Sequence, residues 1–375
     1  MNMLLMGYYG SRNLGDEMML YCLLRWLEGQ GVKVTLLCEG SREPADRYNV
    51  PAVENLALLL EWGWVDVWLR VKAPGLIRRF WQTDGLIVGG GDLIRDDRGW
   101  RNFMYTMEKI LLAIAFRKPV FLLNIGIGRP RTWYGRYLLT WSLRRCRQIV
   151  VRDLRSLEIC RTAGAEASLA PDIVTLLPQW LEAGRDAEAQ LRPYIAVCLR
   201  SRCDVFGQFQ VGEAGLRNLA HALDRLARER GLDIVFIPFQ TMAAEHENDN
   251  EIHTKIAALM QEQSRVVIRE WTGNLAAVTQ CIAGAACVIA MRLHAAILAA
   301  ACGRPCAVLP YDYKVGEAAR IFNITCQITP TTLASFAELT AVLERALGPE
   351  CPQRLTGAAA CWERLALQCE PAPAR

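Results

Sequence analysis

Histidine is scarce in this sequence, four residues in 375, and one of them stands in Met291-Arg292-Leu293-His294. The run Cys287-Val-Ile-Ala-Met291 before it reads as a strand, and the alanine-rich run after it reads as a helix. His294 therefore opens a helix straight after a strand, where it is expected to face a cleft. A helix N-terminus lowers an imidazole pKa from about 6.5 and a bound phosphate raises it, so His294 suits acid or base work near neutrality. A histidine merely hydrogen-bonded at a strand–helix corner is the plainer reading. It fits less well, because Lys314, in Leu309-Pro-Tyr-Asp-Tyr-Lys314-Val, leaves the next strand end toward the same place.

Arginine recurs at strand ends. Arg152 follows Gln148-Ile-Val-Val151, Arg200 and Arg202 follow Ile195-Ala-Val-Cys-Leu199, and Arg292 follows Met291. One such arginine is an ordinary ion pair; several at cleft-facing sheet ends suit a clamp for a multiply charged anion. Glycine loops occupy the same kind of position. Gly7-Tyr-Tyr-Gly-Ser-Arg-Asn13-Leu-Gly15-Asp16 runs from a strand into a helix, and Asp16 could cap that helix or take a proton from a sugar hydroxyl. Its spacing is not the G-x-G-x-x-G of dinucleotide sites. Gly89-Gly90-Gly91-Asp92 follows Leu86-Ile-Val88 and is equally a tight turn or a backbone nest for a ligand. Asn124-Ile-Gly126-Ile-Gly128 follows the next strand.

The elements that must hold these residues alternate. Strand Asn2–Met6, helix Asp16–Gln30, strand Val32–Cys38, an apolar helical stretch around 56–80 and strand Gly85–Val88 lead on through helix 153–163. Pro171, Pro178 and the polar segment 182–190 interrupt the pattern, which restarts at strand Tyr194–Leu199 and continues to strand Pro305–Leu309. Such alternation predicts right-handed βαβ units and parallel sheets covered on both faces. The expected architecture is α/β, two Rossmann-like doubly wound domains facing across a cleft, as in the GT-B fold. They would span residues 1–180 (acceptor side) and 191–350 (donor side), with a helical tail at 351–375 packing back on the first.

A net charge of +4 suggests no nucleic-acid coat. The 14 cysteines include no CxxC pair; Cys302 and Cys306 lack metal-site partners, so reduced thiols packed as small hydrophobes are expected, in the cytosol. The opening Met1-Asn-Met-Leu-Leu-Met reads as a strand rather than a leader, and no apolar run is long enough to span a membrane. His246 and His253 are seven residues apart among acids, which makes a solvated loop leading into a helix a better reading than a metal site. From Arg129 to Arg152 there are seven arginines, four aromatics and no acid. The aromatic interleaving of the Arg129–Arg147 stretch favours an anionic membrane surface over a merely solvated helix face.

Taken together, Asn13–Glu17, Gly89–Asp92, Gly126–Gly128, Val151–Asp153, Met291–His294 and Tyr311–Val315 resemble the motifs of the polysaccharide pyruvyl transferase family. The resemblance covers nearly the whole chain and looks closest to the bacterial enzymes of cell-wall pyruvylation in S-layer anchoring. It implies a GT-B-like fold, phosphoenolpyruvate as donor substrate with no cofactor or metal, and a pyruvate ketal formed across two hydroxyls of a free or lipid-linked sugar. By resemblance His294 is the acid/base, with Asp16 and Lys314 also catalytic. Lys314, Arg292, Arg152 and Arg200 hold phosphoenolpyruvate, and Asn13, Asp16, Gly90, Gly91 and Asp92 meet the acceptor. Two rivals share the fold: a nucleotide-sugar glycosyltransferase, which needs a carboxylate for the ribose, and a binding protein without turnover.

Overall fold

The computed structural model describes residues 1–38, 42–55, 67–96, 99–181, 192–200, 212–241, 248–348 and 358–368. Their contacts divide the chain into two units. The first comprises Met1–Ser11, Asp16–Ile173 and Ala358–Arg375; the second comprises Arg12–Gly15 and Val174–Gly357. The division falls at Ile173/Val174, within the interruption from Pro171 to residue 190 that the sequence pointed to, and the first helix tip belongs by its contacts with the second unit.

Unit 1 is built on seven parallel strands: β1 (Asn2–Met6), β2 (Lys33–Cys38), β3 (Ala52–Glu54), β4 (Gly85–Gly89), β5 (Val120–Ile125), β6 (Gln148–Val151) and β7 (Ser168–Leu169). Their order is β3-β2-β1-β4-β5-β6-β7. β4 and β5 are buried at every residue. That is why Leu-Ile-Val and Val-Phe-Leu-Leu read as unbroken apolar runs: in a sheet covered on both faces there is no wet side to alternate with. Helices Val67–Gln82, Trp100–Ala115 and Trp133–Leu143 share one core with this sheet, through Leu76 and Phe80, Phe103 and Met107, and Leu139 and Leu143.

Unit 2 repeats the plan with six parallel strands: β8 (Tyr194–Cys198), β9 (Asp233–Phe236), β10 (Val266–Ile268), β11 (Cys287–Ala290), β12 (Cys306–Val308) and β13 (Cys326–Gln327), ordered β10-β9-β8-β11-β12-β13. In both sheets the third, second and first strands are followed by the fourth, so winding reverses between β1 and β4 and again between β8 and β11. Ligands of open parallel sheets bind beyond the strand ends at such a reversal. The loops leaving these four strands are the glycine loop at 7–16, Gly90–Asp92, the segment beginning at Leu199, and Met291–His294. The edge strands β3, β7 and β13 go unanticipated, because two or three residues carry no readable period.

Within unit 1 the last described helix, Ala358–Arg364, is pinned by Trp362. Its ring is fully buried and meets Trp26 edge-on at 5.5 Å, and its indole N–H donates to the Pro171 carbonyl at 2.7 Å. The Trp26 indole N–H donates in turn to the Trp362 carbonyl at 3.2 Å. Trp362→Ala is expected to cost about 3–5 kcal/mol of unit 1 stability by denaturant unfolding, through the cavity and the lost bonds. A loss well under 1 kcal/mol would mean that the tail is not part of this core.

Candidate active site

In unit 1 the loop after β1 is tied down from inside. The buried Tyr9 hydroxyl donates to the Gly89 carbonyl at 2.6 Å, joining the ends of β1 and β4. Glu17 accepts the Gly10 N–H at 3.0 Å; burial raises its pKa, against the pull of that bond and of Arg47. Asp16 lies in the first turn of helix Leu14–Gly29. The helix starts earlier than expected, and the cap belongs to Asn13, whose side-chain oxygen accepts the Gly15 N–H at 3.0 Å. Asp16 is thereby left in the turn rather than capping it, and its Oδ1 lies 3.9 Å from where a Cβ on Gly91 would be.

Gly90 and Gly91 both take positive φ, 75° and 78°, which makes the loop after β4 a turn that side-chain-bearing residues enter only with strain. Their N–H groups face inward, Gly90 donating to the Leu123 carbonyl at 3.0 Å and Gly91 to the Met19 sulfur at 3.2 Å. Of the two sequence readings, the turn is the one formed; the N–H groups do not make a nest. The turn delivers Asp92 to Arg152, whose guanidinium bonds Asp92 and Asp172 at 2.8 Å each. Burial works against that cation, but the two carboxylates outweigh it and push its pKa up. Asp92 also accepts from Arg95 at 3.1 Å. Arg152 thus closes a buried ion network within unit 1 rather than standing open for a ligand.

In unit 2 the corresponding arginine is also engaged. Arg292, at the end of β11, forks onto Asp249: Nε bonds Oδ2 at 3.0 Å, one terminal nitrogen bonds Oδ1, and the other meets Gln240 Oε1 at 3.1 Å. The fully buried Asp249 accepts from the Phe239 and Gln240 N–H groups as well, at 2.9 and 3.0 Å. Those two residues hold the tip of the first helix: Leu14 N–H donates to the Phe239 carbonyl at 2.8 Å, and Asn13 pairs with Gln240. Gly15 in that tip carries His294. A Cβ on Gly15 would lie 2.0 Å from His294 Nδ1, so the imidazole rests on the bare Cα.

His294 sits in the first turn of helix Leu293–Ala301, partly exposed. Arg200, after β8, donates to the Tyr311 hydroxyl at 3.0 Å, its guanidinium 5.6 Å from the ring centroid. Lys314 lies in the first turn of helix Tyr313–Ile321, which Asp312 caps through the Lys314 N–H at 2.8 Å. His294, Arg200 and Lys314 therefore lie at the carboxyl ends of β11, β8 and β12, all partly exposed. Arg202 and His246 fall outside the described residues.

His253 does not lie in a solvated segment. It is fully buried in helix Asp249–Leu259, ring to ring with Phe236 at 5.2 Å, and its Nε2 accepts the Leu199 N–H at 3.2 Å. Burial and Arg292 lower its pKa to about 4 against the opposing pull of Asp249. Asp249 is not singled out from sequence, and Gly15 is read only as part of the glycine loop and its motif. Asp249 reads there as one acid in the polar run 245–251, and Gly15 as one more flexible glycine.

The arrangement defines a GT-B-type α/β protein whose polar residues converge at the strand reversals. Solved structures agree on the fold. UDP-GlcNAc 2-epimerase from Methanocaldococcus jannaschii aligns over 96% of this chain and 97% of its own, with TM-score 0.61 and 11% identity. The Neisseria meningitidis UDP-GlcNAc 2-epimerase bound to UDP-GlcNAc aligns over 96% and 98%, with TM-score 0.60 and 12% identity. An Anabaena protein in complex with UDP and glucose aligns over 97% and 94%, with TM-score 0.54 and 12% identity. No curated protein sequence matches the chain. The polysaccharide pyruvyl transferase profile matches residues 13–313, and the chain belongs to that family.

Removing the Asp249 carboxylate strands a buried guanidinium and two N–H groups, so Asp249→Ala is expected to cost about 3–5 kcal/mol in denaturant unfolding. A cost below 1 kcal/mol would show that the network bears no weight. His253 supplies a pH signature. Its folded pKa lies below the unfolded value, so its contribution is whole above about pH 6.5 and is lost as pH falls toward 4. Wild type is expected to lose about 3 kcal/mol more across that window than His253→Gln; parallel curves would contradict the buried neutral imidazole.

Proposed function

We propose that this chain transfers the pyruvyl group of phosphoenolpyruvate to two hydroxyls of one sugar, in a cell-surface polysaccharide or its lipid-linked precursor, in the cytoplasm. Family membership supports pyruvyl transfer to a polysaccharide. The donor and the ketal are our reading, and the observation that carries it is His294 resting on Gly15 at the strand reversal of unit 2.

Phosphoenolpyruvate carries a phosphate and a carboxylate, and calls for cations that a ligand can reach. Arg292 and Arg152 are held by Asp249 and by Asp92 with Asp172, so we assign them the positioning of the loops. Donor binding falls to Arg200 and Lys314, which lie partly exposed at the ends of β8 and β12. In the reaction His294 protonates the methylene carbon, making the methyl group and an oxocarbenium-like centre. One sugar hydroxyl attacks that carbon, the C–O bond to phosphate breaks, and the second hydroxyl closes the ketal. One hydroxyl proton replaces the one His294 gave; the other leaves with phosphate. We place Asp16, next in the chain to Gly15, at the acceptor hydroxyls as base.

Positioned proton transfer contributes roughly 10²–10⁴ in rate, so His294→Ala should lose that much acceptor-dependent phosphate release while still being stabilised by phosphoenolpyruvate. Lys314→Ala should instead raise the KM for phosphoenolpyruvate roughly ten- to hundredfold, the worth of one charge-assisted bond. Thermal shift separates this reading from a nucleotide-sugar enzyme. Stabilisation by UDP or GDP, and none by phosphoenolpyruvate, would replace it.

A further inference from the structure

The arginine-rich stretch does not act as one surface. Arg144 donates to the Ala163 carbonyl at 2.6 Å and Arg147 to the Gln368 carbonyl at 3.1 Å, so both are tied to unit 1 itself. Arg145 lies on the Trp141 ring, 3.9 Å from its centroid, and donates to the Trp141 carbonyl. Arg129, Arg131 and Arg136 differ. All three are exposed, and their guanidinium groups make no ion pair among the described residues.

Large aromatics stand beside these three cations in the chain and on the neighbouring helix. Trp133 is 75% exposed, Tyr137 68%, Tyr134 44% and Trp100 40%. Trp133, Arg136 and Tyr137 stand at i, i+3 and i+4 on helix Trp133–Leu143, and so share one face. Elsewhere on this helix Gly135, Leu139, Ser142 and Leu143 are buried, the two leucines in the unit 1 core. Trp133 and Trp100 each meet Tyr134 edge-on, at 5.8 and 5.0 Å, so the rings form a continuous cluster across two helices. Arg101 is exposed beside Trp100. Among the described residues, the acid placed against this group is Asp96, whose carboxylate accepts the backbone N–H of Arg131 at 2.7 Å.

Exposed rings this large are unusual where a surface meets only water. Tryptophan and tyrosine partition to the boundary between hydrocarbon and water, where the ring is desolvated and the polar atom stays wet. Guanidinium groups at the same level match the phosphates of an anionic leaflet. We infer that Trp100, Trp133, Tyr134 and Tyr137 with Arg129, Arg131 and Arg136 form a docking surface for an anionic phospholipid bilayer. The surface belongs to unit 1 alone and needs no assumption about turnover. It would bring the protein to the leaflet where a lipid-carried sugar is presented.

The test is co-sedimentation of the full chain with phosphatidylcholine vesicles, with and without about one-third phosphatidylglycerol. Wild type should sediment with the anionic vesicles, not with the neutral ones, and be released by high salt. Arg131→Glu with Arg136→Glu, and separately Trp133→Ser with Tyr137→Ser, should each weaken partition at least about tenfold, with melting temperature unchanged. Failure of wild type to sediment with anionic vesicles would overturn the inference. So would variants that sediment like wild type, or capture of neutral and anionic vesicles alike. None of these results bears on phosphate release, so the docking surface and the proposed reaction fail separately.

Discussion

A fully buried carboxylate, that of Asp249, is the constraint on which the geometry of unit 2 depends. An ionised group out of water is tolerable only when its oxygens are met by donors of good geometry. Here two backbone N–H groups and a guanidinium fork meet them. Satisfying Asp249 fixes Arg292, two residues before His294, and fixes Phe239 and Gln240, which hold the helix tip that carries Gly15. The imidazole is therefore located from both sides by one buried anion. Unit 1 inverts the device at its own strand reversal: a buried cation, Arg152, is met by Asp92 and Asp172, and so sets the loop leaving β4.

This pairing separates two kinds of arginine that look alike in sequence. Arg152 and Arg292 sit at strand ends and face internal carboxylates, which bond their guanidinium groups and hold them in place. Arg200 also sits at a strand end, but it is partly exposed and donates to the Tyr311 hydroxyl. We assign a doubly anionic donor to the second kind, because it lies partly exposed, where a ligand can reach it.

The strand core could be read from sequence because unbroken apolar runs such as Val120–Leu123 have one stable use, a strand buried on both faces. The same logic located the loops, since glycines and polar residues directly after such runs mark carboxyl ends. It failed where the signal is long-range. Nothing local pairs Arg292 with Asp249, 43 residues away, or Arg152 with Asp172. Nothing local shows that Gly15 must lack a Cβ because a histidine 279 residues later lies on it. His253 misled because its acidic neighbours suggest water, whereas its own helix face turns into the core.

Gly15→Ala tests the central claim most directly. Alanine suits a helix, so the substitution leaves the backbone content while its methyl group displaces the imidazole. The measurement is phosphate release from phosphoenolpyruvate in the presence of a panel of sugars bearing paired free hydroxyls. Wild type is predicted to release phosphate only with an accepted sugar, and Gly15→Ala to lose that release while melting with wild type. Equal release by both proteins, or no release by wild type with any such sugar, would contradict the account.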